Sequence, residues 1–281
     1  MTPRQRTAPI GFFDSGIGGL TVTRQVMTLL PHENIVYFGD TARVPYGSKS
    51  AEAVVGYSLE AAGFLEARGV KMIVIACNTA SAVALDAVRR HSSVPVLGVI
   101  EPGAQAAVAA TRSGRIGVIG TEGTVRSRAY TEAILQTNAE MTVSARSCPL
   151  FVGLAEEGLD NHPATLMFAE EYLGPLLSSG VDTLILGCTH YPFLVPSIAR
   201  VAGTNVTLID PGVATALAVM NLLTSHDLLN TSSSTPQHEY YLSDFPLKFI
   251  EIGERFLGTT FHHVHRVSLE ELGPFARARG M

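Results

Sequence analysis

Short, unbroken hydrophobic runs alternate along the chain with longer segments of mixed pattern. The short runs are rich in Val, Ile and Leu, which is typical of strands buried on both faces of a parallel sheet. Such runs predict strands at Ile10–Phe13, Ile35–Phe38, Met72–Ala76, Pro95–Val99, Arg115–Ile119, Thr183–Leu186 and Val206–Ile209. Hydrophobic residues spaced i, i+3 and i+4 predict helices at Ala51–Arg68, Ala80–His91, Thr124–Gln136, Thr165–Ser178 and Val213–Leu223. This alternation predicts an α/β fold with doubly wound, mostly parallel sheets.

The sequence also repeats itself loosely. Residues 69–79 align with residues 180–190, and the alignment places Cys77 opposite Cys188. Two shorter stretches match in the same order, namely 10–16 with 116–122 and 99–103 with 208–212. The repeat predicts two similar α/β domains. If these domains face each other across a pseudo-two-fold axis, Cys77 and Cys188 occupy equivalent places.

The matched stretches also suggest where the domains divide. We expect the first domain to comprise residues 1–99 and 211–281, and the second to comprise residues 100–210. The C-terminal tail, residues 213–281, is expected to pack back on the first domain, with strand and helix material at His238–Leu242 and Pro246–Leu257.

Composition and charge narrow the function classes. The chain has 281 residues, 46% of them hydrophobic, which is enough for a large core. A net charge of −5 with 20 Lys and Arg residues offers no basic stripe for nucleic acid. No hydrophobic run has the length of a membrane span, and residues 1–9 lack the apolar core of a signal peptide. We therefore expect a cytoplasmic protein that binds a small molecule, with neither nucleic acid nor membrane as a partner.

Two of the three cysteines occupy equivalent places in the repeat. Cys77 and Cys188 each follow a buried strand and precede a predicted helix, where a helix N-terminus can lower the pKa of a thiol. Both could instead be small buried hydrophobic residues, but two cysteines at matching positions favour function, whereas Cys148 is expected to be structural. The residues that follow the two cysteines suit helix N-caps and carboxylate ligands: Asn78, Thr79, Thr189 and His190.

Two equivalent thiols facing one cleft suit the inversion of a stereocentre next to a carboxylate. One thiolate removes a proton from one face while a thiol delivers a proton to the other, and the two exchange roles in the reverse direction. A cysteine hydrolase using Cys188 and His190, or a non-catalytic two-lobed binding protein, is the alternative. A hydrolase has no use for a second, equivalent cysteine.

Cofactor and metal signatures are weak. The glycine-rich segment 14–19 follows a strand and could hold an anion, but it lacks the features of nucleotide-binding loops. None of the lysines at 49, 71 and 248 is in a convincing setting for a pyridoxal phosphate Schiff base, so we expect no cofactor. His263 and His265 would share one face of a strand, and His262 is adjacent in sequence. No cysteine or carboxylate completes a recognisable metal-ligand spacing with these histidines, so we expect no metal.

Four motifs resemble those of glutamate racemases, within the aspartate/glutamate racemase family. They are GFFDSGIGGLTV at 11–22, GDTARVPYG at 39–47, ACNTAS at 76–81 and GCTHYP at 187–192. The last motif is distinctive, because the second cysteine of aspartate racemases is usually followed by Thr-Glu. The resemblance implies a cofactor-independent racemase that supplies D-glutamate for peptidoglycan. It also implies two α/β domains related by a pseudo-two-fold axis, with the active site in the cleft between them, and often a homodimer. The related alternative is a racemase of aspartate or another acidic amino acid.

The resemblance also implies roles for single residues. Cys77 would take the α-proton from D-glutamate and Cys188 would take it from L-glutamate. Asp14 and His190 are similar to the groups that assist the adjacent thiols. Glu156 resembles a further acidic residue of the site, although the chain has Gly153 where the family commonly has Pro. The residues expected to hold the substrate are Asp14, Ser15, Tyr46, Gly47, Asn78, Thr79, Thr189 and His190.

Overall fold

The computed structural model describes residues 3–245 and 248–277. Within these residues the strands are β1 (Ile10–Asp14), β2 (Ile35–Gly39), β3 (Met72–Ile75), β4 (Val96–Gly98), β5 (Arg115–Gly120), β6 (Thr142–Ser147), β7 (Thr183–Gly187), β8 (Thr207–Ile209), β9 (His238–Leu242) and β10 (Val264–Arg266).

The helices follow the strands closely along the chain. They are α1 (Pro3–Thr7), α2 (Leu20–Leu29), α3 (Ala51–Ala67), α4 (Asn78–His91), α5 (Ile100–Ala110), α6 (Glu122–Ser127), α7 (Ala129–Thr137), α8 (Leu150–Glu156), α9 (Pro163–Ser178), α10 (Val195–Ala202), α11 (Pro211–Ser225), α12 (Phe249–Leu257) and α13 (Leu269–Arg277). Two short 3₁₀ turns add to them, Tyr46–Ser48 and Tyr191–Leu194.

The strands form two parallel sheets, which confirms the predicted α/β fold class. The first sheet has the order β10-β9-β2-β1-β3-β4 and the second has the order β6-β5-β7-β8. The segment β2-β1-β3-β4 therefore has the same topology as the whole second sheet. Cys77 follows the third strand of one unit and Cys188 follows the third strand of the other. In the tail, β9 pairs with β2 and places His238 opposite Ile35.

The burial of the strands in the core explains why they could be predicted from unbroken hydrophobic runs. All five residues of β1 are buried, and Ile10 and Phe12 pack on one face of the sheet while Phe13 packs on the other. The cluster that contains Ile10 also contains Val118 and Ile185 from the second sheet. One hydrophobic core is therefore continuous between the two sheets.

Some predicted elements were wrong or missed. The single helix expected over Thr124–Gln136 is two helices, because Arg128 adopts a left-handed conformation with φ 61° between α6 and α7. Strand β6 was missed because its residues are half-buried or exposed and its sequence, TVSARS, is polar. Helix α5 was also missed, since Pro102 and Gly103 weaken its pattern, although proline is tolerated in a first helical turn.

The tail differs from expectation in two further ways. Helix α12 begins at Phe249, and Pro246 and Leu247, with which the predicted element began, lie outside the described residues. His263 precedes β10 with φ 58°, so it does not share a strand face with His265. His265 instead stacks on Tyr241 with ring centroids 5.0 Å apart. Among the described residues, no helix combines the length and hydrophobicity needed to cross a bilayer.

Candidate active site

The carboxyl ends of β1 and β3 bring Asp14 and Cys77 to the same edge of the first sheet. The two strands are neighbours, and the Ala76 N–H group donates to the Phe13 carbonyl at 2.9 Å. Asp14 and Cys77 are 1% and 6% exposed. The charge of the Asp14 carboxylate interacts with the buried Cys77 thiol and disfavours its ionisation.

Cys77 is itself the N-cap of α4, which corrects the expectation that Asn78 or Thr79 would cap that helix. The Cys77 sulfur accepts a hydrogen bond from the Ala80 N–H group at 3.4 Å, and Asn78 is the first helical residue. The thiol also contacts the Ser15 hydroxyl at 3.8 Å.

The expectation of a lowered thiol pKa is wrong for Cys77. Burial raises the pKa of the Cys77 thiol to about 12, and the nearby Asp14 carboxylate adds to this effect. Hydrogen bonds from Ala80 and Ser15 favour the thiolate but are outweighed. The free-energy penalty of removing the thiolate from water is larger than the stabilisation that the N-terminus of one helix provides.

Cys188 lies in a different local setting. A 3₁₀ turn, Tyr191–Leu194, follows it, and α10 begins only at Val195, so the predicted helix does not start next to this cysteine. The Cys188 sulfur lies 3.8 Å from His190 Nδ1, and both residues are buried. The Cys188 sulfur therefore has an imidazole as its neighbour, whereas the Cys77 sulfur lies at the N-terminus of a helix.

Glu156 is brought to the other side of the same imidazole. Its Oε1 atom lies 3.0 Å from His190 Nε2. Burial alone lowers the pKa of His190, but the contacts with Cys188 and Glu156 outweigh it and raise that pKa to about 10. The hydrogen bond to His190 in turn lowers the pKa of Glu156. At neutral pH the two side chains form an ion pair beside Cys188.

Asp14 has one engaged and one unengaged carboxylate oxygen. Oδ2 accepts a hydrogen bond from the Gly16 N–H group at 3.0 Å, whereas buried Oδ1 has no hydrogen-bond partner within the described part of the chain. Burial raises the pKa of Asp14, and the charge on His190 opposes that shift. Asp14 is thus electrostatically coupled to both cysteine loops.

The loop after β1 touches the loop after β7 at a glycine. A Cβ atom at Gly18 would lie 2.3 Å from Thr189 Oγ1 and 2.5 Å from His190 Cε1, so no larger residue fits without movement. The Thr21 hydroxyl donates to the Thr189 carbonyl at 2.9 Å. These contacts bring Thr189 and His190 against the loop that carries Asp14 and Ser15.

Asn78 and Thr79 contact the second sheet's side of the molecule. The Tyr130 hydroxyl donates to Asn78 Oδ1 at 2.7 Å, and the Thr79 and Thr121 hydroxyls lie 2.9 Å apart. Sequence reasoning named neither Tyr130 nor Thr121. The repeat contained a signal for Thr121, because the alignment of residues 10–16 with 116–122 places it opposite Ser15.

Tyr46 and Gly47 have different surroundings. The Tyr46 hydroxyl is buried and donates to Asp40 Oδ2 at 2.5 Å, so it holds its own loop. Gly47 lies against Thr121 and lines a cavity of about 460 Å³ that also has Glu156 in its wall. The structure therefore places Gly47 and Glu156 on one cavity bounded by both halves of the chain.

The remaining candidates lie elsewhere. Cys148 is fully buried in the core of the second sheet, with its sulfur 3.7 Å from the Arg146 carbonyl. Over residues 3–245 and 248–277, no group of three or more His, Cys, Asp or Glu side chains has an arrangement that could hold a metal ion.

Comparisons with known proteins identify the class that this fold and site define. The sequence profile of the Asp/Glu/Hydantoin racemase family matches residues 16–219. The chain therefore belongs to the Asp/Glu/Hydantoin racemase family.

Within that class the chain is highly similar to glutamate racemases, which confirms the resemblance seen in the motifs. The chain is 54% identical over 261 residues to the glutamate racemase of Geobacter metallireducens, covering 93% of this chain and 97% of that protein. It is 51% identical over 265 residues to the glutamate racemase of Neisseria meningitidis serogroup A, covering 94% and 98%. The crystal structure of Francisella tularensis glutamate racemase in complex with D-glutamate superposes with a TM-score of 0.89 at 42% identity, covering 94% and 99%.

Proposed function

We propose that this protein interconverts L- and D-glutamate by moving the α-proton between the thiols of Cys77 and Cys188, without a cofactor. The observation that carries the proposal is the equivalence of the two thiols. Each follows the third strand of a matching four-strand unit, and each has its own acid–base partner, Asp14 for one and His190 with Glu156 for the other. The choice of glutamate is supported by the similar proteins.

The proposed proton transfer uses each thiol once per turnover. In the direction from D- to L-glutamate, the Cys77 thiolate takes the proton from Cα, so a C–H bond breaks and an S–H bond forms. The Cys188 thiol then gives its proton to the opposite face of Cα, so an S–H bond breaks and a new C–H bond forms. The reverse direction exchanges the two roles.

The neighbouring groups match these roles. Because burial keeps the resting Cys77 thiol protonated, a base must remove its proton when substrate binds. Asp14 is the adjacent carboxylate, and its raised pKa makes it a better base. His190 is protonated at neutral pH, so it can return a proton to Cys188. The positive imidazole and water exclusion would also stabilise negative charge developing on the substrate.

We further propose that polar groups around the two thiols hold the substrate. The Ser15 hydroxyl, the Asp14 carboxylate and the Thr189–His190 loop surround the sulfur atoms. Asn78 and Thr79 would act from the opposite side, where they already join the two halves. Tyr46 would contribute by fixing Gly47, since its hydroxyl is bonded to Asp40.

The wider biological role follows from the same proposal. We propose two domains, residues 1–99 with 211–281 and residues 100–210, with the reaction in the cleft between them. The D-glutamate product would serve peptidoglycan synthesis in the cytoplasm, and the free thiols of all three cysteines fit a reducing compartment. We also propose a homodimer, which sedimentation analysis of the purified protein tests directly.

The decisive experiment measures racemisation of each glutamate enantiomer by circular dichroism without added cofactor. Cys77→Ser and Cys188→Ser should each reduce kcat/KM by at least about 100-fold, because proton transfer needs both thiols. The reduction must be equal in both directions, since the equilibrium constant between mirror images is one. Cys148→Ala is the matched control and should retain activity.

Exchange with solvent adds an independent readout. In deuterium oxide the product should acquire deuterium at Cα, which a hydrolase or a binding protein would not cause. Full activity of either serine variant would overturn the two-thiol mechanism. Faster turnover of aspartate than of glutamate would overturn the proposed substrate.

A further inference from the structure

An arginine from the C-terminal tail holds the end of the helix that carries Glu156. Arg255 lies on α12, and its Nη2 atom donates to the Ala155 carbonyl at 2.5 Å and to the Glu156 carbonyl at 2.9 Å. These are the last two residues of α8. The carbonyl groups at a helix C-terminus carry partial negative charge and lack some helical partners, so a cation there is favourable.

Helix α12 is itself fixed to the first sheet's side of the molecule. Phe249, Ile252 and Phe256 of this helix are buried in the core that also contains β1. Gly253 approaches Leu20 and Phe261 closely, since a Cβ there would lie 2.4 Å from the Phe261 ring. Arg255 therefore connects an anchored helix to α8, which follows β6 of the second sheet.

The same helix reaches both members of the Glu156–His190 pair. Arg255 binds the backbone behind Glu156, while the Phe256 ring packs edge-on against His190 with centroids 5.4 Å apart. Phe256 also stacks on Phe193, which follows His190 in the next turn, at 4.1 Å. Helix α12 thus contacts both the backbone of the residue that bears the carboxylate and the ring of the imidazole.

A glycine makes room for the guanidinium. Gly158 has φ +69°, a backbone conformation that other residues adopt at a cost. A Cβ atom at this position would also lie 2.5 Å from Arg255 Nη1. The positive φ favours glycine just after α8, and a larger residue there would also displace the guanidinium.

We propose that Arg255 is a positioning residue, which fixes the end of α8 so that the Glu156 carboxylate stays hydrogen-bonded to His190 Nε2 beside Cys188. This inference rests on the proposed roles of Cys188 and His190 in proton transfer. The tail therefore contributes to the chemistry of the second thiol, although none of its side chains is assigned to the reaction.

The charged groups around His190 define what should change. Glu156 contacts His190 from α8, and Cys188 contacts it from the same loop as His190. Asp14, at the end of β1, interacts with His190 electrostatically. The positive charge of Arg255 acts on Glu156. If Glu156 moves away, His190 loses its nearest stabilising carboxylate and its pKa should fall.

The test compares Arg255→Met with a matched control, Lys248→Met, which changes a second cation that contacts the C-terminal end of α8. Lys248 pairs with Glu157 at 2.6 Å, but both side chains are more than half exposed, so Lys248→Met should change little. Arg255→Met should lower kcat/KM equally in both directions by roughly 10- to 100-fold, because small misplacements of catalytic groups have large effects. The kcat/KM of Arg255→Lys should lie between those of Arg255→Met and the parent protein, because an ammonium group keeps the charge but lacks the planar fork of the guanidinium.

Two readouts separate positioning from general destabilisation. In the NMR titration of His190 without substrate, Arg255→Met should lower the His190 pKa by roughly one unit, whereas Lys248→Met should not shift it. In a Glu156→Gln background, Arg255→Met should add less than about a twofold further loss, because both changes remove one interaction.

The outcomes are distinguishable. An unchanged His190 titration, or a full additional loss in the Glu156→Gln background, would overturn the role of Arg255. If Arg255→Met does not fold, the same two measurements on Arg255→Lys decide. Activity retained by Cys188→Ser would instead overturn the two-thiol mechanism, while the substrate-free titration would still test the link from Arg255 to His190.

Discussion

Cys77 accepts a hydrogen bond from the Ala80 N–H group at the start of α4, yet its thiol is harder to ionise than a free cysteine. Burial is the largest cause, and the neighbouring Asp14 carboxylate acts in the same direction. A helix N-terminus is therefore not enough to activate a thiol that is 6% exposed. Protection of the resting enzyme against oxidation and alkylation follows from the same neutral, buried state.

This raised pKa predicts a loss of stability at alkaline pH. The native thiol titrates near pH 12, whereas the unfolded thiol titrates near about 8.5, so between these values unfolding releases a proton. The Cys77 contribution to the free energy of unfolding should then fall by up to about 1.4 kcal/mol per pH unit. Urea unfolding of the parent protein and of Cys77→Ala from about pH 8 to about pH 10 measures it. Identical pH slopes in the two proteins would contradict the prediction.

At the scale of elements, the strands are the part that local pattern predicts well. Strands β1, β3 and β7 are buried on both faces, and an unbroken hydrophobic run is the direct consequence. Strand β6 is only partly buried, so its sequence carries no such run. The break at Arg128 is also invisible locally, because nothing in its sequence favours a left-handed residue.

Loops at the strand ends meet at Gly18, which leads to a prediction for Gly18→Ala. A methyl group there collides with Thr189 and His190, so the loop that carries Asp14 and Ser15 and the loop that carries Cys188 must move apart. We expect kcat/KM to fall by roughly 10- to 100-fold. Gly56→Ala is the matched control, because no atom lies within 4 Å of its Cβ position inside α3. It should leave activity unchanged and raise the free energy of unfolding by up to about 1 kcal/mol. Equal activity of both variants would show that the close approach at Gly18 is unnecessary.

At the scale of the whole molecule, a buried ion pair joins distant segments at the end of the first sheet away from the cysteines. Lys71 precedes β3, pairs with Glu33, and donates to the carbonyl groups of Arg6 at 2.7 Å and Leu228 at 2.8 Å. Glu33 Oε1 accepts from the Asn230 N–H group at 2.9 Å. The pair thus ties the N-terminal segment and the chain after α11 to the sheet.

Removing one partner should therefore destabilise the fold without altering the chemistry. Lys71→Met should lower the free energy of unfolding by about 3–5 kcal/mol, because Glu33 remains buried without its counter-charge. The double variant Lys71→Met/Glu33→Leu should recover part of that loss. Denaturant titration measures both, and kcat/KM of the folded protein should stay within about twofold, since no transition-state contact is removed. A larger loss of activity in a fully folded variant would show that this cluster also controls the active site.

The sequence by itself determined the α/β class, most central strands and the internal repeat. These features could be predicted because hydrophobic periodicity and duplication are properties of the order of residues along the chain. It also singled out Cys77 and Cys188, since the repeat aligns them and the motifs surround them. Glu156 came from the resemblance alone, as no local pattern distinguishes it from other surface glutamates.

Only the tertiary structure decided how these groups behave. The pKa of Cys77 depends on burial, and the protonation of His190 depends on Cys188 and on Glu156 from 34 residues away. The contact at the end of α8 depends on Arg255 from the tail. Each of these effects arises from desolvation or from contacts between distant parts of the chain. Such terms are set by packing in three dimensions, so spacing along the sequence does not contain them.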